Sequence, residues 1–294
     1  MLENKINRRH SLKMMLSLGA LSFFPTKLLS QVITEGCDVC KKAWESLGKF
    51  NKIRYQFRYV EPVANLPKVF IYGDSISIGY TEYVRASLKD KACVYRLHTN
   101  GQSSNEFIAR MEALRKKMFQ PYLKGGWDFE WDAIHFNVGL HDLKYLADKK
   151  LDKKNGTQVS TLEVYEDNLH KIINYLKTKY PKAKLIFATT TPVPEGADGR
   201  FAGDSAKYNE VALKVMKQYP EVIVNDLFTF SVPVLKEFGK KPGDVHYKAK
   251  GSRLQGIQVA KKIASAIDIT PTECPSTEII EAEFKAYETK KKNK

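Results

Sequence analysis

In Lys68-Val69-Phe70-Ile71-Tyr72-Gly73-Asp74-Ser75-Ile76-Ser77 a short apolar run ends at a glycine, and a serine opens the next segment. A turn of this kind lifts a hydroxyl to the carboxyl edge of a sheet, beside the partnerless N–H groups that begin a helix. A serine attacks poorly near neutral pH unless a base takes its proton. Far downstream, Asp244-Val245-His246 offers an imidazole for that role, with a carboxylate close by. Acyl transfer through Ser75 is the chemistry these residues could perform. Taken singly, Ser75 could merely cap a helix and His246 could be an ordinary loop histidine. It is their combination that points to catalysis.

Such residues meet only if strands deliver them to one edge. Short apolar runs near Lys68 to Tyr72, Ala92 to Leu97, Ala133 to Asn137, Leu185 to Thr189 and Val222 to Asn225 are continuous rather than alternating, which suits strands covered on both faces. Between them, Glu106 to Met118, Leu162 to Tyr180 and Ser205 to Gln218 have helical period, and Pro181 and Pro220 follow two of them. Five strands in turn with helices predict an α/β fold, a parallel sheet with helices on both sides. In such a sheet the ligand crevice lies beyond the carboxyl ends of the strands. That singles out Ser75, the loop Asn100-Gly101-Gln102-Ser103, the loop Asn137-Val138-Gly139-Leu140-His141-Asp142, and Asp244 to His246. The threonines of Thr189-Thr190-Thr191-Pro192 are expected to wall the crevice with hydroxyls open to a polar ligand. Trp127 and Trp131 suit core or rim packing better than a sugar platform, and His135 suits the core.

These blocks, in this order over residues 67 to 266, resemble the SGNH (GDSL-type) hydrolase family. The resemblance implies a three-layer α/β/α sandwich on a parallel, about five-stranded, flavodoxin-like sheet, and no cofactor or metal. It makes Ser75 the nucleophile with its own N–H in the oxyanion hole, Gly101 a second backbone donor and His246 the base. Two blocks differ from the family pattern. Where members read Gly-x-Asn-Asp, this chain has Gly139-Leu140-His141-Asp142, so His141 takes the place of the oxyanion Asn, with Asn137 as a fallback donor. Where members place Asp three residues before the histidine, this chain has Gly243, and Asp244 stands only two residues before His246. Either Asp244 or the Gly243 carbonyl is then open as the group that orients the imidazole.

Asn7-Arg8-Arg9-His10-Ser11-Leu12-Lys13 precedes the apolar run Met14 to Phe24, a pattern expected of an export signal over residues 1–30, too short to span a bilayer. Residues 31–66 read as a lead-in, 67–270 as the hydrolase domain and 271–294 as a C-terminal helical tail. Lys149 to Gly156 reads as a charged surface excursion or a lid. The net charge of +15 is scattered without interleaved arginines and aromatics, which argues against a nucleic-acid partner. Of the four cysteines, Cys37 and Cys40 have redox-like spacing without the surroundings that such chemistry needs.

Export and a polar crevice, with exported members of the resembled family, lead us to expect a periplasmic or extracellular esterase that removes acetyl groups from carbohydrate. A lipid or thioester hydrolase of the same fold, and a glycan-binding module without catalysis, are the alternatives.

Overall fold

The computed structural model describes residues 38–292. The expected export segment and Cys37 lie outside them. Helix α1 (38–46) and the short α2 (Lys49–Ile53) lead into β1 (Lys68–Tyr72), α3 (Ser75–Ser87), β2 (Cys93–Arg96), α4 (Phe107–Met118) and β3 (Ala133–Phe136). Three short strands come next, β4 (Tyr145–Ala147), β5 (Lys150–Leu151) and β6 (Thr157–Gln158). The chain continues through α5 (Leu162–Lys179), β7 (Lys184–Ala188), α6 (Asp204–Met216), β8 (Ile223–Asn225), α7 (Leu227–Phe238), α8 (Ala249–Ala266) and α9 (Thr277–Lys292).

The main sheet has the order β2-β1-β3-β7-β8 with every pair parallel. All five residues of β1 and all four of β3 are buried, as continuous apolar runs require when helices cover both faces. Neighbouring β3 residues show the two layers directly. His135 meets Tyr80 of α3, whereas Phe136 meets Phe107 of α4, and successive strand residues point to opposite faces. The fold class is therefore α/β, a parallel sheet between helical layers. Because β2 lies on one side of β1 and β3 on the other, the chain order reverses between β1 and β3, and a crevice opens at their carboxyl ends.

The region after β3 differs from the surface loop expected at Lys149 to Gly156. Strands β5, β4 and β6 form a small antiparallel sheet. Asp148 (φ 48°) and Lys149 (φ 64°) both adopt the left-handed conformation of a two-residue hairpin turn, without the Asn-Gly pair that announces one. The lead-in and the tail join the same body. Trp44 is buried, donates from Nε1 to the Phe57 carbonyl (2.7 Å) and packs against Trp127, while Tyr55 lies between Phe284 and Tyr287 of α9. Trp127 and Trp131 are core residues, packed with Tyr95, Phe119 and Phe129. Among the described residues, no helix is long and apolar enough to cross a membrane.

Candidate active site

Ser75 is the first residue of α3, and Asp74 caps it by accepting from the Ile76 N–H (2.9 Å). Gly73 allows the turn: a side chain there would strike Ser77 Cβ at 2.8 Å. The serine N–H lies in the first helical turn, where no intrahelical acceptor exists.

His246 Nε2 lies 2.9 Å from Ser75 Oγ, and its Nδ1 lies 2.6 Å from Asp244 Oδ1. Nδ1–H donates to the carboxylate, so Nε2 is the nitrogen free to accept the serine proton. The orienting group is thus Asp244 rather than the Gly243 carbonyl. The short spacing works because Asp244 Oδ1 also accepts the His246 backbone N–H (3.0 Å), a tight local turn that folds the carboxylate back onto its own imidazole. Gly243 makes that turn possible: its φ is +72°, and an added Cβ would lie 2.7 Å from the Gly196 carbonyl. Burial pushes the Asp244 carboxyl pKa up, but the hydrogen bonds from His246 outweigh it and hold the group below its ordinary range. Two further bonds hold His246 from its other side. The His246 carbonyl accepts from Lys240 N–H (2.9 Å), and the Phe238 carbonyl accepts from Lys248 N–H (2.8 Å).

The expected oxyanion donors fare differently. Gly101 approaches the nucleophile turn so closely that a Cβ would lie 2.7 Å from the Tyr72 ring, but its N–H donates to the Gly73 carbonyl (2.9 Å). That donor is spent on holding the two loops together, a correction to the role expected for Gly101. Asn137 is likewise committed. Its Nδ2 donates to the carbonyls of Ala188 (2.8 Å) and Thr189 (3.2 Å), tying β3 to β7, so the fallback donor is removed.

His141 keeps a donor. Lys144 Nζ lies 3.0 Å from His141 Nδ1, and an ammonium has protons but no lone pair, so Nδ1 accepts and the ring proton resides on Nε2. Burial, followed by the charges of Lys144 and Arg200, lowers the His141 pKa to about 3, which keeps the ring neutral. Asp142, fully buried, accepts from Ser104 N–H (3.0 Å), Ser104 Oγ (2.5 Å) and Ser160 Oγ (2.9 Å), bracing the same loop.

The threonine wall is a second correction. Thr189, Thr190 and Thr191 are buried, and the Thr189 hydroxyl is engaged by Asp226 and the Phe228 N–H, so these groups do not face a crevice ligand. What sequence reasoning missed is Arg200. Its Nε donates to the Leu140 carbonyl (3.0 Å), one residue from His141. The available hint was slight: it is the sole arginine between Arg115 and Arg253 in a lysine-rich chain.

No family model matches the chain. Over 174 residues it is 29% identical to a multidomain esterase of Ruminococcus flavefaciens, covering 52% of this chain and 23% of that protein, so the match spans less than a quarter of the relative's length. Among solved structures the chain is similar to a lipase/acylhydrolase from Enterococcus faecalis (17% identical, 71% of this chain and 100% of that one, TM-score 0.51). It is similar also to a chain from Parabacteroides merdae described as GDSL-like lipase (16% identical, 70% and 99% covered, TM-score 0.51). These likenesses show the fold, which is that of the SGNH hydrolases.

Proposed function

Taking the chain as an SGNH-fold protein whose serine, histidine and aspartate stand in hydrogen-bonded series, we propose that it is an exported serine esterase that removes short acyl groups, acetyl above all, from carbohydrate. The observation that carries the catalytic part is the unbroken line Ser75 Oγ, His246, Asp244, at 2.9 and 2.6 Å.

In this reading His246 takes the Ser75 proton as Oγ attacks the ester carbonyl, and Asp244 stabilises the imidazolium that forms. The Ser75 N–H and His141 Nε2–H receive the oxyanion. Collapse of the tetrahedral intermediate expels the sugar hydroxyl, which takes its proton from His246. Water then repeats the sequence on the acyl-enzyme and releases the acid. The multidomain esterase of Ruminococcus flavefaciens supports ester chemistry. A short acyl group and a sugar suit a nucleophile that is only half-buried and a base whose side chain is 43% exposed. Export rests on the basic-then-apolar pattern of residues 7 to 24.

The test is hydrolysis of a series of 4-nitrophenyl esters and of acetylated xylan by the purified full chain. Acetate turnover that falls as the acyl chain lengthens, with acetate released from the polymer, is the expected result. Turnover that rises towards long chains would replace this reading with lipid hydrolysis.

A further inference from the structure

Two cations stand beside the triad without a carboxylate in ion-pair contact. Arg200 is only 8% exposed, and among the described residues its guanidinium makes one hydrogen bond, from Nε to the Leu140 carbonyl. Lys144 is half-buried, and its ammonium is bonded to the neutral Nδ1 of His141. Among the described residues neither has an acidic group within the 4.0 Å of an ion pair. A desolvated charge without an ion-pair partner is costly, and where it borders a crevice a ligand can supply the counter-charge.

Their place in the fold is fixed from three sides. The Gly199 carbonyl accepts from Tyr145 N–H (2.8 Å), pinning the arginine's backbone to β4. The neighbouring Gly196 carbonyl abuts Gly243, at the foot of the Asp244 turn. The Arg200 side chain reaches the opposite loop at Leu140. The segment from Gly196 to Arg200 therefore lies between the turn that carries Asp244 and the loop that carries His141. Its charge acts on Asp74 and Asp244, and on Lys144 and His141. The nearby carboxylates have other duties. Asp142 is held by Ser104 and Ser160, Glu106 by Ser103, and Asp244 by His246. Asp74 caps α3 through Oδ1, and its buried Oδ2 has no hydrogen bond and no ion pair among the described residues. Phe201, the next residue, is 43% exposed, meets Tyr145 edge to face and has Lys153 Nζ over its ring at 5.6 Å.

We infer that Arg200, assisted by Lys144, binds a negatively charged group, carboxylate or sulfate, on the sugar that carries or adjoins the scissile ester, so that the preferred substrate is an acidic acylated glycan. The inference rests on the esterase reading for its substrate but not for its binding site. The guanidinium's fork matches a carboxylate or sulfate edge through two parallel N–H donors, which a lysine cannot do.

Specificity is measured on acetylated polygalacturonate, acetylated dextran sulfate and neutral acetylated xylan of matched acetyl content. The expected kcat/KM is at least about tenfold higher on one of the acidic polymers at low salt, the gap closing as salt screens the pair. Preference for the first identifies a carboxylate, and for the second a sulfate. In Arg200→Gln the acidic-to-neutral ratio should collapse towards one, with Arg200→Lys intermediate and available if the glutamine variant fails to fold. Equal kcat/KM on all three polymers, or a ratio unchanged by Arg200→Gln, would overturn the inference. A second arm is independent of turnover: calorimetry of the full-length Ser75→Ala protein with oligogalacturonate, sulfated oligosaccharide and neutral xylo-oligosaccharide. Tighter binding of either acidic ligand sustains the anion site even if the wild type releases no acetate from any ester, a result that would sink only the esterase reading. Equal affinity for the three would remove the site.

Discussion

Asp244 and His141 show what single residues decide in this protein. Both depart from the pattern of the family the chain resembles, and each departure has a local physical answer. Asp244 reaches its imidazole from two residues away because one oxygen accepts both the backbone and the ring N–H of His246. His141 has its tautomer set by Lys144, which leaves Nε2–H to donate. With the Gly101 N–H and the Asn137 amide spent elsewhere, His141 becomes the main side-chain donor proposed for the oxyanion. His141→Ala should therefore lower kcat by about 10²–10³ with a smaller change in KM, while His141→Asn, which keeps an N–H donor, should retain most of the rate. The pH dependence adds a check. With its pKa lowered to about 3, the half-buried ring is neutral from pH 5 upwards, so its titration contributes no limb to the pH–rate profile there. The limbs measured in His141→Asn should coincide with those of the wild type, and a displaced acid limb would mean that His141 itself titrates. Ser75 and His246 were legible from residue type and order alone. The loss of Gly101 and Asn137 as donors was not, because it depends on which carbonyl each N–H finds after folding.

Helices α3 and α8 place the Ser75 hydroxyl and the His246 imidazole near their beginnings, since α3 starts at Ser75 and α8 starts three residues after His246. Their packing sets the gap between the two groups. Two glycines let the helices approach: a Cβ at Gly256 would lie 2.5 Å from Tyr83 Cβ, and one at Gly79 would lie 3.0 Å from Ser252 Oγ. Gly256→Val should push α8 off α3, destabilising the fold by about 1–3 kcal/mol. Thermal melting reads the stability, and kcat should fall in the fraction that remains folded because the serine-to-imidazole distance opens. An unchanged melting temperature and kcat would show that this contact does not set the site. The strands were readable because apolar runs of four to six residues between helical segments fit little else than a buried parallel strand, and observed bounds differ from expected ones by a residue at most ends. Helix α7 is hard to read because Pro233 sits inside it, and the small antiparallel sheet because its strands are two or three residues long and its turn is Asp148-Lys149.

Across the whole molecule the parallel sheet turns distance along the chain into proximity, bringing together a hydroxyl and an imidazole 171 residues apart. Strand order 2-1-3 around β1 places the Ser75 turn beside the third loop, and the segment between α7 and α8 brings Asp244 and His246 to the same edge. Composition could not reveal how charge is arranged there. A net charge of +15 spread over lysines reads as a solvated surface, and only the folded loops set Arg200 and Lys144 beside the triad. All of this chemistry depends on folding to make Ser75 a nucleophile by seating it against His246. Covalent labelling of the native full chain with a serine-directed fluorophosphonate, followed by peptide mass mapping, probes that dependence at its source. We expect a single adduct on Ser75, absent after denaturation and formed orders of magnitude more slowly in His246→Ala. A native protein that takes up no label, or labels as fast after Ser75→Ala, would refute the assignment.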